Sequence, residues 1–130
     1  MFMNWEIVKI YGEQKGRNTP YASVGRGKIA LSAAACELIQ DHEKYMYVRL
    51  VKATQNKKTF IGVQFFTEYV SDSIKIKRKV IDGKQIAGMT IENKKVIGEQ
   101  FGSDGSQKGT TRYSVRLDDD DKTILVIFKE

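Results

Sequence analysis

The sequence predicts an α+β fold, in which two internally duplicated β-α-β-β units pack as one mainly antiparallel β domain with two short helices. Three observations carry that expectation. Short runs with the two-residue period of strands fill most of the chain. Only two stretches suit a helix, and each follows a residue able to cap one, Ser32 and Asn93. The order strand, helix, hairpin then occurs twice, over about residues 22–66 and 74–129. A chain of 130 residues has the size of one ordinary domain, so residues 1–130 are read as a single unit.

Taken in order, residues 5–11 alternate as a strand, and the polar stretch 12–20 after them, with Lys15 and Arg17, reads as a loop. Residues 21–31 read as one strand, where Ile29 and Leu31 alternate with Lys28 and Ala30. Ser32 then caps an alanine-rich helix ending near Asp41. Residues 45–51 and 59–65, aromatic and β-branched, form a hairpin around a polar loop at 52–58. Residues 73–81 alternate Ile74, Ile76 and Val80 against Lys75, Lys77 and Lys79, which predicts a strand with one core face and one basic face. Asp82-Gly83 is a turn signal, and residues 85–91 make a further strand. Asn93 caps a helix through Phe101, Gly102 suits the left-handed position that ends one, and 102–109 is a loop. Residues 111–117 and 122–128 close the chain as a hairpin around Asp118, Asp119, Asp120 and Asp121, whose repulsion keeps that turn in water.

The duplication rests on an ordered match. Val48-Arg49-Leu50 followed by Lys58-Thr59-Phe60-Ile61 corresponds to Val115-Arg116-Leu117 followed by Lys122-Thr123-Ile124-Leu125, and upstream Ile29-Ala30-Leu31-Ser32 corresponds to Met89-Thr90-Ile91-Glu92. Such peptides are also common in strands. One unit alone cannot bury its apolar face, so the two are expected to pack around an approximate twofold axis.

Twenty-two Lys and Arg against 16 Asp and Glu leave a net charge of +6, which favours polyanionic partners. The excess concentrates near Lys75, Lys77, Arg78 and Lys79. Alternate lysines on a strand lie about 6.6 to 6.8 Å apart, comparable with phosphates along an extended nucleic-acid strand. Arg26, Lys28, Lys15 and Arg17 are candidates to extend that surface. The bland alternative is that a lysine-rich strand merely blocks edge-to-edge aggregation. Tyr11, Tyr21, Tyr45, Tyr47, Tyr69 and Tyr113 suit base stacking, though for most of them core packing is the better reading.

Other chemistry finds little support. The lone Cys36 forms no internal disulfide and lies in an apolar run, which favours a reducing, cytoplasmic compartment and an inert thiol. The single His42 falls among Asp41, Glu43 and Lys44 in what reads as an exposed loop. Gly25-Arg26-Gly27-Lys28 precedes a helix only after an intervening strand, unlike a phosphate loop, and its glycines read as turn residues. The four aspartates lack the spacing of a calcium loop. No signal peptide or long apolar run is present, so no membrane partner is expected. The expectation is a non-enzymatic protein with no cofactor and no metal, binding DNA or RNA in a sequence-tolerant, regulatory way. The alternative is an interaction module that docks on an acidic host protein or completes a homodimer by edge pairing.

Gly25-Arg26-Gly27-Lys28-Ile29-Ala30-Leu31-Ser32-Ala33-Ala34-Ala35, a short helix, then Tyr47-Val48-Arg49-Leu50 and Ile61-Gly62-Val63, resemble the AbrB-like swapped-hairpin domains of bacterial transition-state regulators. That resemblance implies DNA binding by paired copies, which a duplicated chain would supply at once. The chain departs from the pattern in its proline-free helix entry, its longer first loop and its strand at 73–81. As a whole it is also similar to small early proteins of bacteriophages infecting lactococci, including the kind that confers sensitivity to abortive infection. That second resemblance implies a phage protein acting in the host cytoplasm on nucleic acid or on an abortive-infection factor.

Overall fold

Turn chemistry decides where the strands end. In the computed structural model, which describes residues 19–78, 80–85 and 88–128, three two-residue turns have both central residues in the left-handed region: Arg26–Gly27, Asn56–Lys57 and Asp82–Gly83. This is the type I′ arrangement, whose twist matches that of antiparallel strands. The stretch 21–31, expected as one strand, is therefore a hairpin of β1 (Tyr21–Gly25) and β2 (Lys28–Leu31). Gly25 is required there because a Cβ would collide with the carbonyl of Gly109. The expected loop at 52–58 is likewise almost all strand, since β3 (Tyr47–Gln55) and β4 (Lys58–Phe66) stay paired up to Gln55 opposite Lys58.

The remaining strands are β5 (Ile74–Lys75), β6 (Val80–Ile81), β7 (Lys84–Gln85), β8 (Met89–Glu92), β9 (Thr111–Leu117) and β10 (Ile124–Phe128). Eight strands form one antiparallel sheet in the order β5-β3-β4-β10-β9-β1-β2-β8, and β6–β7 is a separate small hairpin. Past β5 the chain reaches Lys77, whose backbone exchanges two 2.8 Å hydrogen bonds with Thr90 of β8. The first and last strands thus meet, and the sheet curls into a nearly closed barrel.

Every second residue points inward. Ala22, Val24, Ile29, Leu31, Val48, Val63, Phe65, Ile76, Met89, Ile91, Tyr113, Val115, Leu125 and Ile127 fill one core. Full burial of each large aliphatic among them stabilises the fold by on the order of 1.5–3 kcal/mol. Helices α1 (Ala33–Glu37) and α2 (Lys94–Phe101) add Ala35, Cys36 and Ile97 to it. Their caps are the expected ones: Ser32 Oγ accepts from the Ala35 N–H at 3.1 Å, and Asn93 Oδ1 accepts from the Val96 N–H at 3.0 Å. Gly102, with φ 60°, ends α2.

Several expectations are corrected. α1 stops at Glu37 rather than near Asp41, because the chain turns back through Asp41 at φ 55° and a 3-10 turn, His42–Lys44. The loop expected at 102–109 contains a third helix, α3 (Ser103–Ser106), whose Gly105 packs directly against the Ile97 carbonyl. Residues 73–81 are not one strand. Ile74 and Lys75 pair with β3, Lys77 bridges to β8, and the chain then leaves the barrel for β6–β7, so Val80 is 63% exposed rather than facing the core. His42 is half-buried, with Nδ1 shielded and without a hydrogen-bond partner. Among the described residues no helix is long and apolar enough to cross a membrane.

Candidate nucleic-acid interface

The residues that alternate with the core form the barrel's outer face, and register aligns them into rows. Val51, Gly62, Val126 and Arg116 lie side by side across β3, β4, β10 and β9. Gly62 is necessary in that row: a Cβ there would come within 2.9 Å of Ile124 Cγ2 and 3.0 Å of Val51 Cγ2. On one side runs a row of Arg49, Gln64 and Ile124; on the other, Phe128, Ser114 and Tyr21. The centre of this wall is apolar and closely packed, with Val126 buried although it faces outward.

Cations cover the aromatic rings of the wall. The Arg112 guanidinium sits 3.9 Å from the Tyr21 ring centre, Arg49 5.1 Å from Phe66 and Arg116 6.0 Å from Phe128. Arg49 also donates to Gln64 Oε1 at 3.0 Å. A cation held near a ring in this way is attracted by the ring's negative face and keeps N–H donors free toward solvent. Tyr69, 69% exposed, packs edge-on against Tyr47 at 5.8 Å and extends the aromatic surface. No Asp or Glu occurs in β1, β3, β4, β9 or β10. The nearest carboxylate to these arginines in an ion pair is Asp119, in the turn after β9, 4.0 Å from Arg116.

The residues singled out from sequence are placed differently. Lys75 is exposed on the outer face beside Tyr47. Lys77 pairs with Glu92 at 2.8 Å, and Lys28 stands opposite Glu92 in the β2–β8 register. The Lys77 hydrogen bond, then the charges of Lys77 and Lys28, hold the Glu92 carboxyl below its usual range. Arg78 turns back onto the barrel and donates to the carbonyls of His42 at 3.0 Å and Tyr45 at 2.7 Å. Arg26 caps the β1–β2 turn, with Nε donating to the Lys108 carbonyl. Lys79, Lys15 and Arg17 lie outside the described residues.

Burial pushes the Cys36 thiol up to about 11. The acidic turn satisfies itself: Asp118 accepts from the N–H groups of Asp120 and Asp121, and Asp121 accepts from Thr123 Oγ1 and N–H, which holds its carboxyl low. Among the described residues no group of three His, Cys, Asp or Glu could hold a metal ion.

Sequence reasoning missed Arg49, Arg112 and Arg116. A signal was present: residues 45–66 and 111–117 contain aromatic and basic residues but no acid. Comparison with family models, with curated proteins and with solved structures finds no match.

Proposed function

We propose that this chain is a small, basic, non-enzymatic protein that binds nucleic acid in a sequence-tolerant, regulatory manner through the outer wall of its barrel. The observation that carries the reading is the set of three arginines stacked on rings across strands that contain no carboxylate. Phosphates are attracted to such a wall, where the one ion pair among the described residues is that of Arg116 with Asp119 in the following turn, and guanidinium planes and the exposed Tyr69 ring accept bases of any identity. Lys75 continues the surface along β5.

We further propose that the two halves are copies of one unit. Ala30 faces Thr90 in the β2–β8 pair, and Gly62 faces Val126 in the β4–β10 pair. The sequence alignment equates these same residues, so one approximate twofold axis accounts for both registers. The interleaved order, with β1–β2 lying between β9 and β8, is what two swapped-hairpin copies fused in one chain would give. This supports the resemblance to the AbrB-like regulators and, with it, the assignment to nucleic acid.

A second reading, docking of an acidic protein or of a second copy, is favoured by one observation. Beyond Val48 the outer edge of β3 pairs with no strand among the described residues, and that edge is basic at Arg49 and Lys52. Titration with labelled single-stranded DNA, duplex DNA and RNA tests the first reading. Affinity should fall linearly with log salt, at about 0.7 to 0.9 per phosphate contact. Absence of binding at low salt overturns it.

A further inference from the structure

The hairpin of β3 and β4 outgrows the barrel. Residues 52–59 are all exposed, yet pairing continues to Gln55 opposite Lys58, with Thr54 and Thr59 hydroxyls 3.4 Å apart. The turn residues Asn56 and Lys57 both occupy the left-handed region, so the tip is a tight turn rather than a loose loop. No acid and no large apolar residue lies in this stretch; it offers Lys52, Lys57 and Lys58 with Asn and Gln amides and Thr hydroxyls. An exposed arm without apolar surface adds little to the core, so its composition points to what it touches.

We infer that this arm is a two-stranded ribbon that enters the major groove of duplex DNA, an inference that rests on the nucleic-acid reading above and names the polymer. Four residues from Lys52 to Gln55 carry the tip about 13 Å from the barrel, and two paired strands stand about 4.8 Å apart. A B-form major groove, roughly 12 Å wide and 8.5 Å deep, admits such a ribbon. The corresponding groove of A-form RNA is too narrow for side chains to read. Lys57 and Lys58 at the tip fit the flanking phosphates, and the Thr54 and Thr59 hydroxyls can meet either base pair, which keeps the contact sequence-tolerant. The stacked arginines of the wall, on the same outer face as Gln55 and Lys58, then lie over the backbone beside the groove.

The test compares the full chain with a variant in which residues 54–59 are replaced by Asn-Gly between Ala53 and Phe60, preserving the register below. Both are titrated with one sequence as duplex DNA, single-stranded DNA and duplex RNA at fixed salt. The parent is expected to prefer duplex DNA. The shortened arm should lose duplex affinity by roughly tenfold or more and change single-strand affinity by less than about threefold. Should the shortened chain fold poorly by circular dichroism, Lys57→Ser/Lys58→Ser in the full-length arm gives the same comparison and lowers the duplex salt slope by about one unit per contact. Equal losses on duplex and single strand, no loss on either, or a parent that favours RNA overturns the ribbon while leaving the wall standing. A parent silent toward all three polymers overturns both readings together.

Discussion

The wall of β3, β4, β10, β9 and β1 and the basic segment around β5 carry similar cations in opposite circumstances. Around β5, Lys77 and Lys28 share Glu92, and Arg78 is bound to two backbone carbonyls of the neighbouring turn. On the wall, Arg49, Arg112 and Arg116 rest on rings, and the strands beneath them hold no acid. Density of charge along the chain is therefore a poor guide to where charge is available. What matters is which acids and acceptors the strand order brings beside it.

The largest expected difference tests that contrast directly. Replacing Arg49, Arg112 and Arg116 together by Ser should lower nucleic-acid affinity by roughly tenfold or more, and the salt slope by about one unit for each phosphate contact removed. The melting temperature should move little, because Arg112 and Arg116 are exposed. A triple variant that binds as the parent does would remove the wall from the site.

Arg78 should behave in the reverse way. Arg78→Ala leaves the His42 and Tyr45 carbonyls without their charged donor, at a cost of about 2 kcal/mol in stability measured by urea unfolding. Arg78→Lys should recover much of the loss, since both carbonyls accept from the single nitrogen Nη2 and an ammonium has donors enough for two acceptors. Nucleic-acid affinity of the folded fraction should stay as in the parent. A loss of affinity with unchanged stability would make Arg78 a contact residue after all.

The contrast also explains what was legible in the sequence. Strand period, the Ser32 and Asn93 caps and the closing hairpin are local signals, decided within a few residues. The glycines around Arg26 marked a turn, but the tight turn at Asn56–Lys57 was hidden because two non-glycine residues adopt positive φ there, at 53° and 66°. Segment 73–81 alternates cleanly, but the chain leaves the barrel after Lys77, and no local pattern marks that exit. The wall was illegible for a related reason. Tyr21 meets Arg112 only because β1 pairs with β9, and that pairing is set by closure of the whole sheet.

Core groups give a third, smaller effect, in pH. Burial lifts the Cys36 thiol from 9.0 to about 11, while burial and the hydrogen bond to Asp104 lift the Tyr113 phenol from 10.0 to about 12. In both cases the folded value lies above the unfolded one, so the folded state keeps a proton that the unfolded state releases. The stabilisation is complete below about pH 9 and is lost as pH rises, between about 9 and 11 for the thiol and about 10 and 12 for the phenol. Urea midpoints measured across that range should therefore decline, and less steeply in Cys36→Ala. A midpoint flat from pH 8 to about 11 would show the thiol to be accessible in the folded state.

The smallest expected effect belongs to the lysines that the sequence brings forward most strongly. Lys75→Ser/Lys77→Ser removes two exposed cations, but it also frees Glu92 beside Lys28, so the local loss of positive charge is set against an anion that Lys77 had held. Exposed pairs of this kind contribute little to folding, and the melting temperature should stay within error. The salt slope should fall by about one unit or less, because Lys75 alone stands clear of an acid on the outer face. Adding Glu92→Gln supplies the discriminating measurement. If the neighbouring acid is what mutes this segment, that single change should raise affinity at low salt. A double-lysine variant that loses as much binding as the triple-arginine variant would instead move the centre of the interface from the wall to β5.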